Sequence, residues 1–190
     1  MTGAAVGMES HARLVALAGR HVEEGAEVAT RFFDAEADRI ADTCAAMASR
    51  FQRGARLFVF GSCESASDAH HVAVEFVHPV IVGKRALPAI ALEGDVLAAL
   101  AALARADDIA IGVSAGLDAA VDGALVRARA AGVLAIRISG GGDSREDFSR
   151  EYFAFSVPSS DAMIVQEVQE TLCHVLWELV HVYLDGSEAR

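Results

Sequence analysis

A few side chains at helical spacing hold most of the chemistry this sequence can support. His71 and Glu75 stand four residues apart, so on a helix both project from one face, about one turn apart. Two metal ligands are placed this way, and so is an ordinary helical ion pair. Near the C-terminus, "MIVQEVQETLCHVLWELVHVYL" puts Ile164, Val168, Leu172, Val175, Leu179 and Tyr183 on an apolar stripe of helical period. Gln166, Gln169, Glu170, His174, Glu178 and His181 fall on other faces. They form either a solvated side or a set that needs partners when buried. Gln166 and His174 are eight residues apart, about 12 Å along a straight helix and about 80° around it. One ion joins them only if both side chains lean toward it. Glu75 with His78, and Glu178 with His181, make two Glu-x-x-His pairs of the di-iron type. That chemistry needs four packed helices, which the strand pattern does not supply.

The elements that must position these residues follow from periodicity. From about Glu9 to Arg53 there is no proline, and apolar residues return every three or four positions. The pattern predicts two helices, or one broken helix, ended by Gly54. "RLFVFG" (Arg56 to Gly61) is a short apolar run stopped by glycine and predicts a buried parallel strand. A helix over Ser67 to Val77, a strand "PAIAL", a helix over Val96 to Ala104 and a strand "DIAIGV" come next. A helix over Asp118 to Ala131, the strands "VLAIRI" and "YFAFSV", and a terminal helix over Asp161 to Leu184 complete the chain. Alternation of this kind predicts an α/β fold with a five-stranded, mainly parallel sheet flanked by helices. Ligands of such sheets sit beyond the carboxyl ends of the strands, here "GSCESASDAHH", "SAGLDAA" and "SGGGDS". The "GGGD" run reads as a turn, since a dinucleotide fingerprint needs G-x-G-x-x-G.

At 190 residues the expectation is one domain over 1–190, with N-terminal helices over 1–53 and the α/β core over 54–190. Sixteen basic against 27 acidic residues give a net charge of −11. That balance argues against nucleic acid or an anionic membrane as partner and leaves a small ligand or another protein chain. Cys44, Cys63 and Cys173 are odd in number and show no C-x-x-C spacing, which fits a reducing cytoplasm rather than a disulfide framework. No apolar run reaches the roughly 18 residues of a membrane span.

The string "FGSCESASDAHHVAVEF", then "PAIAL", then "DDIAIGVSAG", and Gln166 eight residues before His174 together resemble a sedoheptulose 7-phosphate isomerase (phosphoheptose isomerase) of the sugar isomerase, or SIS, fold. The resemblance implies the SIS-type three-layer architecture, a homotetramer, and a zinc ion held by His71, Glu75, Gln166 and His174. It further implies aldose–ketose isomerisation of a sugar derivative, with Glu75 as proton shuttle and His174 as second acid or base. Ser62, Ser65 and Ser114 fall where the family binds substrate. The loops depart from the family pattern. Cys63 and Glu64 replace two glycines of the first loop, and "SAGLD" is shorter and poorer in hydroxyls than the second. Glu64 and Asp118 bring negative charge to a place where the family holds phosphate. A non-catalytic SIS-fold binding or regulatory module, with degenerate phosphate loops, is the alternative these departures imply.

Overall fold

The computed structural model describes residues 3–62, 64–141 and 153–188. The chain opens with helix α1 (Gly3–Gln52). It continues through β1 (Leu57–Gly61), α2 (Ser65–Val77), β2 (Ala89–Ala91), α3 (Val96–Leu103) and β3 (Ile109–Val113). Then come α4 (Ala119–Ala130), β4 (Leu134–Gly140), β5 (Phe153–Val157) and a last helix, α5 (Ala162–Glu188). These elements fall where the periodicity puts them, except that α1 is one unbroken rod. Gly19 and Gly25 cost about 1 kcal/mol each relative to alanine. That is too little to break a helix whose second half buries Val28, Phe32, Ile40, Cys44, Met47 and Phe51. Gly54, at φ +85°, ends the rod's exit turn in the left-handed conformation that costs glycine nothing. Cys63, Tyr152, and Gly142 and Asp143 of "GGGD" lie outside the described residues.

The sheet runs β2-β1-β3-β4-β5, with every neighbouring pair parallel. Side chains alternate between two cores. Leu57, Val59, Ile109, Ile111, Ile136 and Ile138 pack with α1, α2 and α5. Phe58, Phe60, Ala110 and Ala135 pack with α3 and α4. Helices on both faces make three layers and explain why the strands read as continuous apolar runs. The chain leaves β1 for β2 through α2 on one face and leaves β3 for β4 through α4 on the other. The strand order therefore reverses between β1 and β3, which is where an open parallel sheet forms its ligand crevice.

The opposite edge is closed by Asp108, which is 3% exposed. Its carboxylate accepts the Arg56 and Arg105 amides and the Arg56 guanidinium, all at 2.8 Å. Burial pushes its pKa up, but the hydrogen bonds from Arg56 and Arg105 and the Arg56 charge outweigh that, and the carboxyl sits below its ordinary value. A depressed carboxyl contributes stability above its unfolded pKa, about 3.9, and loses it as pH falls through the folded value. Asp108→Asn is expected to lower unfolding free energy by about 2 kcal/mol at neutral pH. In denaturant titrations the deficit should shrink as pH drops below the ordinary carboxylate range.

Candidate metal centre

Helices α2 and α5 lie side by side and run in the same direction. The Gln166 amide donates to Asp68 Oδ1 at 2.8 Å, and about two turns further along α2 and three along α5 the Trp177 indole N–H donates to the Glu75 carbonyl at 3.0 Å. Their shared seam is apolar, with Ala69, Val72 and Phe76 on α2 and Val165, Leu172, Cys173 and Leu176 on α5, all in one core. Gln169, 2% exposed, donates to the Ser114 carbonyl at 2.8 Å and ties α5 to the loop after β3.

This register brings His71, Glu75 and His174 together, with one donor atom from each within 4.8 Å of the others. His71 Nε2 lies 3.4 Å from His174 Nε2, and Glu75 Oε1 lies 3.4 Å from His71 Nε2 and 2.9 Å from His174 Nε2. Ligands of a tetrahedral zinc, with bonds of about 2.0–2.1 Å, stand about 3.3 Å from one another. The donor set therefore fits zinc in type and in spacing. A second observation agrees: Glu75 Oε2 is buried and has no hydrogen-bond partner among the described residues, and buried carboxylate oxygens are costly to leave unpaired. The imidazoles are about half exposed while Glu75 is 19% exposed, so the centre is open on its histidine side.

Glu170 is the residue the sequence reading left unassigned. It lies one turn before His174, with Oε2 3.4 Å from His71 Nε2. Burial pushes its carboxyl above the ordinary range; Asp68 and Glu75 add to that, against the pull of His71 and His174. Its signal was the i, i+4 spacing to His174, the same spacing that singled out His71 and Glu75. Gln166 lies a turn further back, with its amide on Asp68. Of the three serines expected near substrate, Ser65 is buried in the first turn of α2. Ser62 donates its hydroxyl to Asp118, and Ser114 donates to the Gly116 carbonyl at 2.7 Å. His181 faces the Trp177 and Arg85 carbonyls at 2.8 and 3.0 Å, which makes it a structural residue rather than a ligand.

A family model for the SIS domain matches residues 20–146. The phosphoheptose isomerase of Desulfovibrio desulfuricans is 32% identical over 181 residues, 86% of each chain. That of Thermodesulfovibrio yellowstonii is 34% identical over 175 residues, 83% of this chain and 87% of the other. The solved structure of a phosphoheptose isomerase from Francisella tularensis superposes with a TM-score of 0.77 at 22% identity. It covers 88% of this chain and 98% of that one.

Gly61 fixes the distance between β1 and the start of α2. A Cβ there would stand 2.4 Å from the Ser65 carbonyl oxygen, a backbone atom that moves only with the first turn of the helix. Gly61→Ala is expected to lower stability by about 1–3 kcal/mol, read as a shifted urea midpoint at unchanged slope.

Proposed function

We propose that this chain, a phosphoheptose-isomerase-like member of the SIS domain family, interconverts an aldose and a ketose at the His71, Glu75 and His174 cluster. The convergence of two imidazole nitrogens and a carboxylate at tetrahedral edge lengths, with one carboxylate oxygen left unpaired, is the observation that carries this reading. His71, Glu75 and His174 would hold zinc. Glu170, whose Oε2 is 3.4 Å from His71 Nε2, would add a further oxygen donor, and Gln166, which donates its amide N–H to Asp68, keeps its amide oxygen as the atom a metal would use. Zinc bound there supplies Lewis-acid polarisation of a substrate oxygen.

Isomerisation moves hydrogen between adjacent carbons with no net gain or loss. Glu75 takes the proton from the carbon that bears the hydroxyl, the neighbouring carbonyl oxygen gains one, and an enediol results. Return of a proton to the former carbonyl carbon, with loss of the other hydroxyl proton, gives the ketose. His174, 2.9 Å from Glu75 Oε1, serves the oxygen atoms as the second acid or base. The packing of Trp177 against the backbone of Glu75 holds the base still between these transfers.

Association of several copies belongs to the same reading, with a tetramer implied by resemblance. The first half of α1 supports it, since Leu14, Val15, Leu17 and Val22 are each more than half exposed there. Residence in a reducing cytoplasm is supported by Cys44 and Cys173, which are buried free thiols. No helix among the described residues is long and apolar enough to cross a membrane. A panel of ketoheptoses and ketohexoses, free and phosphorylated, tests the function. We expect turnover of at least one member, with Glu75→Gln reducing kcat on the order of 10²-fold or more. Binding without turnover across the panel would favour the non-catalytic module, whose support is that the hydroxyls of Ser62 and Ser114 are engaged within the protein.

A further inference from the structure

His181 is a buried titratable side chain that the isomerase chemistry leaves unused, and it is the histidine of the second Glu-x-x-His pair. It is 1% exposed, and both of its ring nitrogens face oxygen atoms. Nδ1 lies 2.8 Å from the Trp177 carbonyl, one turn back along α5, and Nε2 lies 3.0 Å from the Arg85 carbonyl, on the 78–88 segment that joins α2 to β2. A carbonyl only accepts, whereas a neutral imidazole has one donor and one acceptor nitrogen. Either neutral tautomer would press a lone pair against one of the two oxygens. The ring that satisfies both carries a proton on each nitrogen.

A buried cation needs compensation. The Trp177 ring stands beside it, with centroids 4.4 Å apart and planes inclined at 44°, and an aromatic ring at that distance attracts a cation. Asp185, one turn further along α5, accepts from the Lys84 ammonium of the same 78–88 segment. The Lys84 hydrogen bond, joined by the Lys84, His181 and Arg85 charges, outweighs desolvation and holds the Asp185 carboxyl below its ordinary value. The core that Trp177, Val180 and Leu184 share with Met47 and Phe51 of α1 and Phe76 of α2 is apolar.

What His181 holds in place bears on the site. The 78–88 segment carries Val80 and Ile81, which with Glu75, His174, Trp177 and Glu178 line a cavity of about 320 Å³ at the candidate metal centre. Two links therefore run from His181 toward the reacting groups. One passes through the Arg85 carbonyl to the apolar wall of that cavity. The other passes through Trp177, whose indole N–H is bonded to the Glu75 carbonyl. Beyond Arg85 the segment is tied back to α2 by the Leu87 amide, which donates to the Phe76 carbonyl at 2.8 Å.

We propose that His181 is a positioning residue: protonated on both nitrogens, it clamps the 78–88 segment to α5 and so fixes the cavity wall beside Glu75 and His174. The proposal rests on the isomerase reading for its effect on turnover, and on the two carbonyls alone for the clamp.

Two measurements on the full chain test it. Nitrogen-15 spectra of histidine-labelled protein, with His181 assigned by its absence from the His181→Asn variant, count the ring protons at neutral pH. Two N–H protons on the His181 ring are expected, and a single one would overturn the proposal. The second measurement uses the reach of two amides. The asparagine amide stands near the place of Nδ1 and the glutamine amide near that of Nε2, so His181→Gln keeps a donor for the Arg85 carbonyl and His181→Asn does not. We expect His181→Asn to lower kcat on the order of tenfold or more, with KM changed less, and to speed hydrogen exchange at the Leu87 amide. His181→Gln should stay close to the native protein in both. The same losses in the two variants, or none in either, would overturn the proposal. If the native protein turns over no sugar, the isomerase reading fails, and the ring protons and the Leu87 exchange still decide the clamp.

Discussion

The parallel register of α2 on α5 is the constraint on which the rest of the site depends. Neither helix holds a complete donor set: His71 and Glu75 come from one, Glu170 and His174 from the other. They meet because the Gln166 amide reaches Asp68 and, about two turns on along α2 and three along α5, the Trp177 indole reaches the Glu75 carbonyl. A slip of one residue between the helices turns a side chain about 100° around its axis, enough to point an imidazole out of the centre. The apolar seam supplies the adhesion, and these two polar contacts select one register from those the seam alone would tolerate. Gln169 extends the same fixation to the loop after β3, so the His71, Glu75 and His174 cluster and the strand-end crevice are positioned by one helix.

That crevice explains where part of the protein's acidity has gone. A net charge of −11 reads at first as a bulk property of the surface. Several of the carboxylates have local work instead: Asp95, Asp118 and Asp161 cap the helices that start at the carboxyl edge, while Asp108 closes the opposite edge on Arg56. Capping stabilises each helix by about 1 kcal/mol.

The strands and helices were legible in the sequence because period and punctuation agree along the chain, as in "RLFVFG" ended by the close approach at Gly61. Only α1 departed: two helices or one broken helix were expected, and a single rod results, its two glycines outweighed by burial of its second half. His71, Glu75 and His174 were legible as a group through spacing and resemblance together. Glu170 was not, because a glutamate among six polar residues on one helix is distinguished only by which of them faces α2. Equally hidden was the partner of Ser62. The sequence placed Ser62 and Asp118 on loops near the same crevice, but which acceptor a hydroxyl turns to is decided by the distance between β1 and β3. The loop departures at Glu64 and Asp118 were visible as charge, and the structure turns the second into a specific bond.

The most direct measurement is metal content. The native protein and a His71→Ala, His174→Ala double variant, purified alike without added chelator, are compared by elemental mass spectrometry per mole of chain. Stoichiometric zinc in the native protein and its loss in the folded double variant is the predicted result. Absence of stoichiometric metal from the native protein, or the same content in both, would contradict the assignment of these side chains as a metal centre.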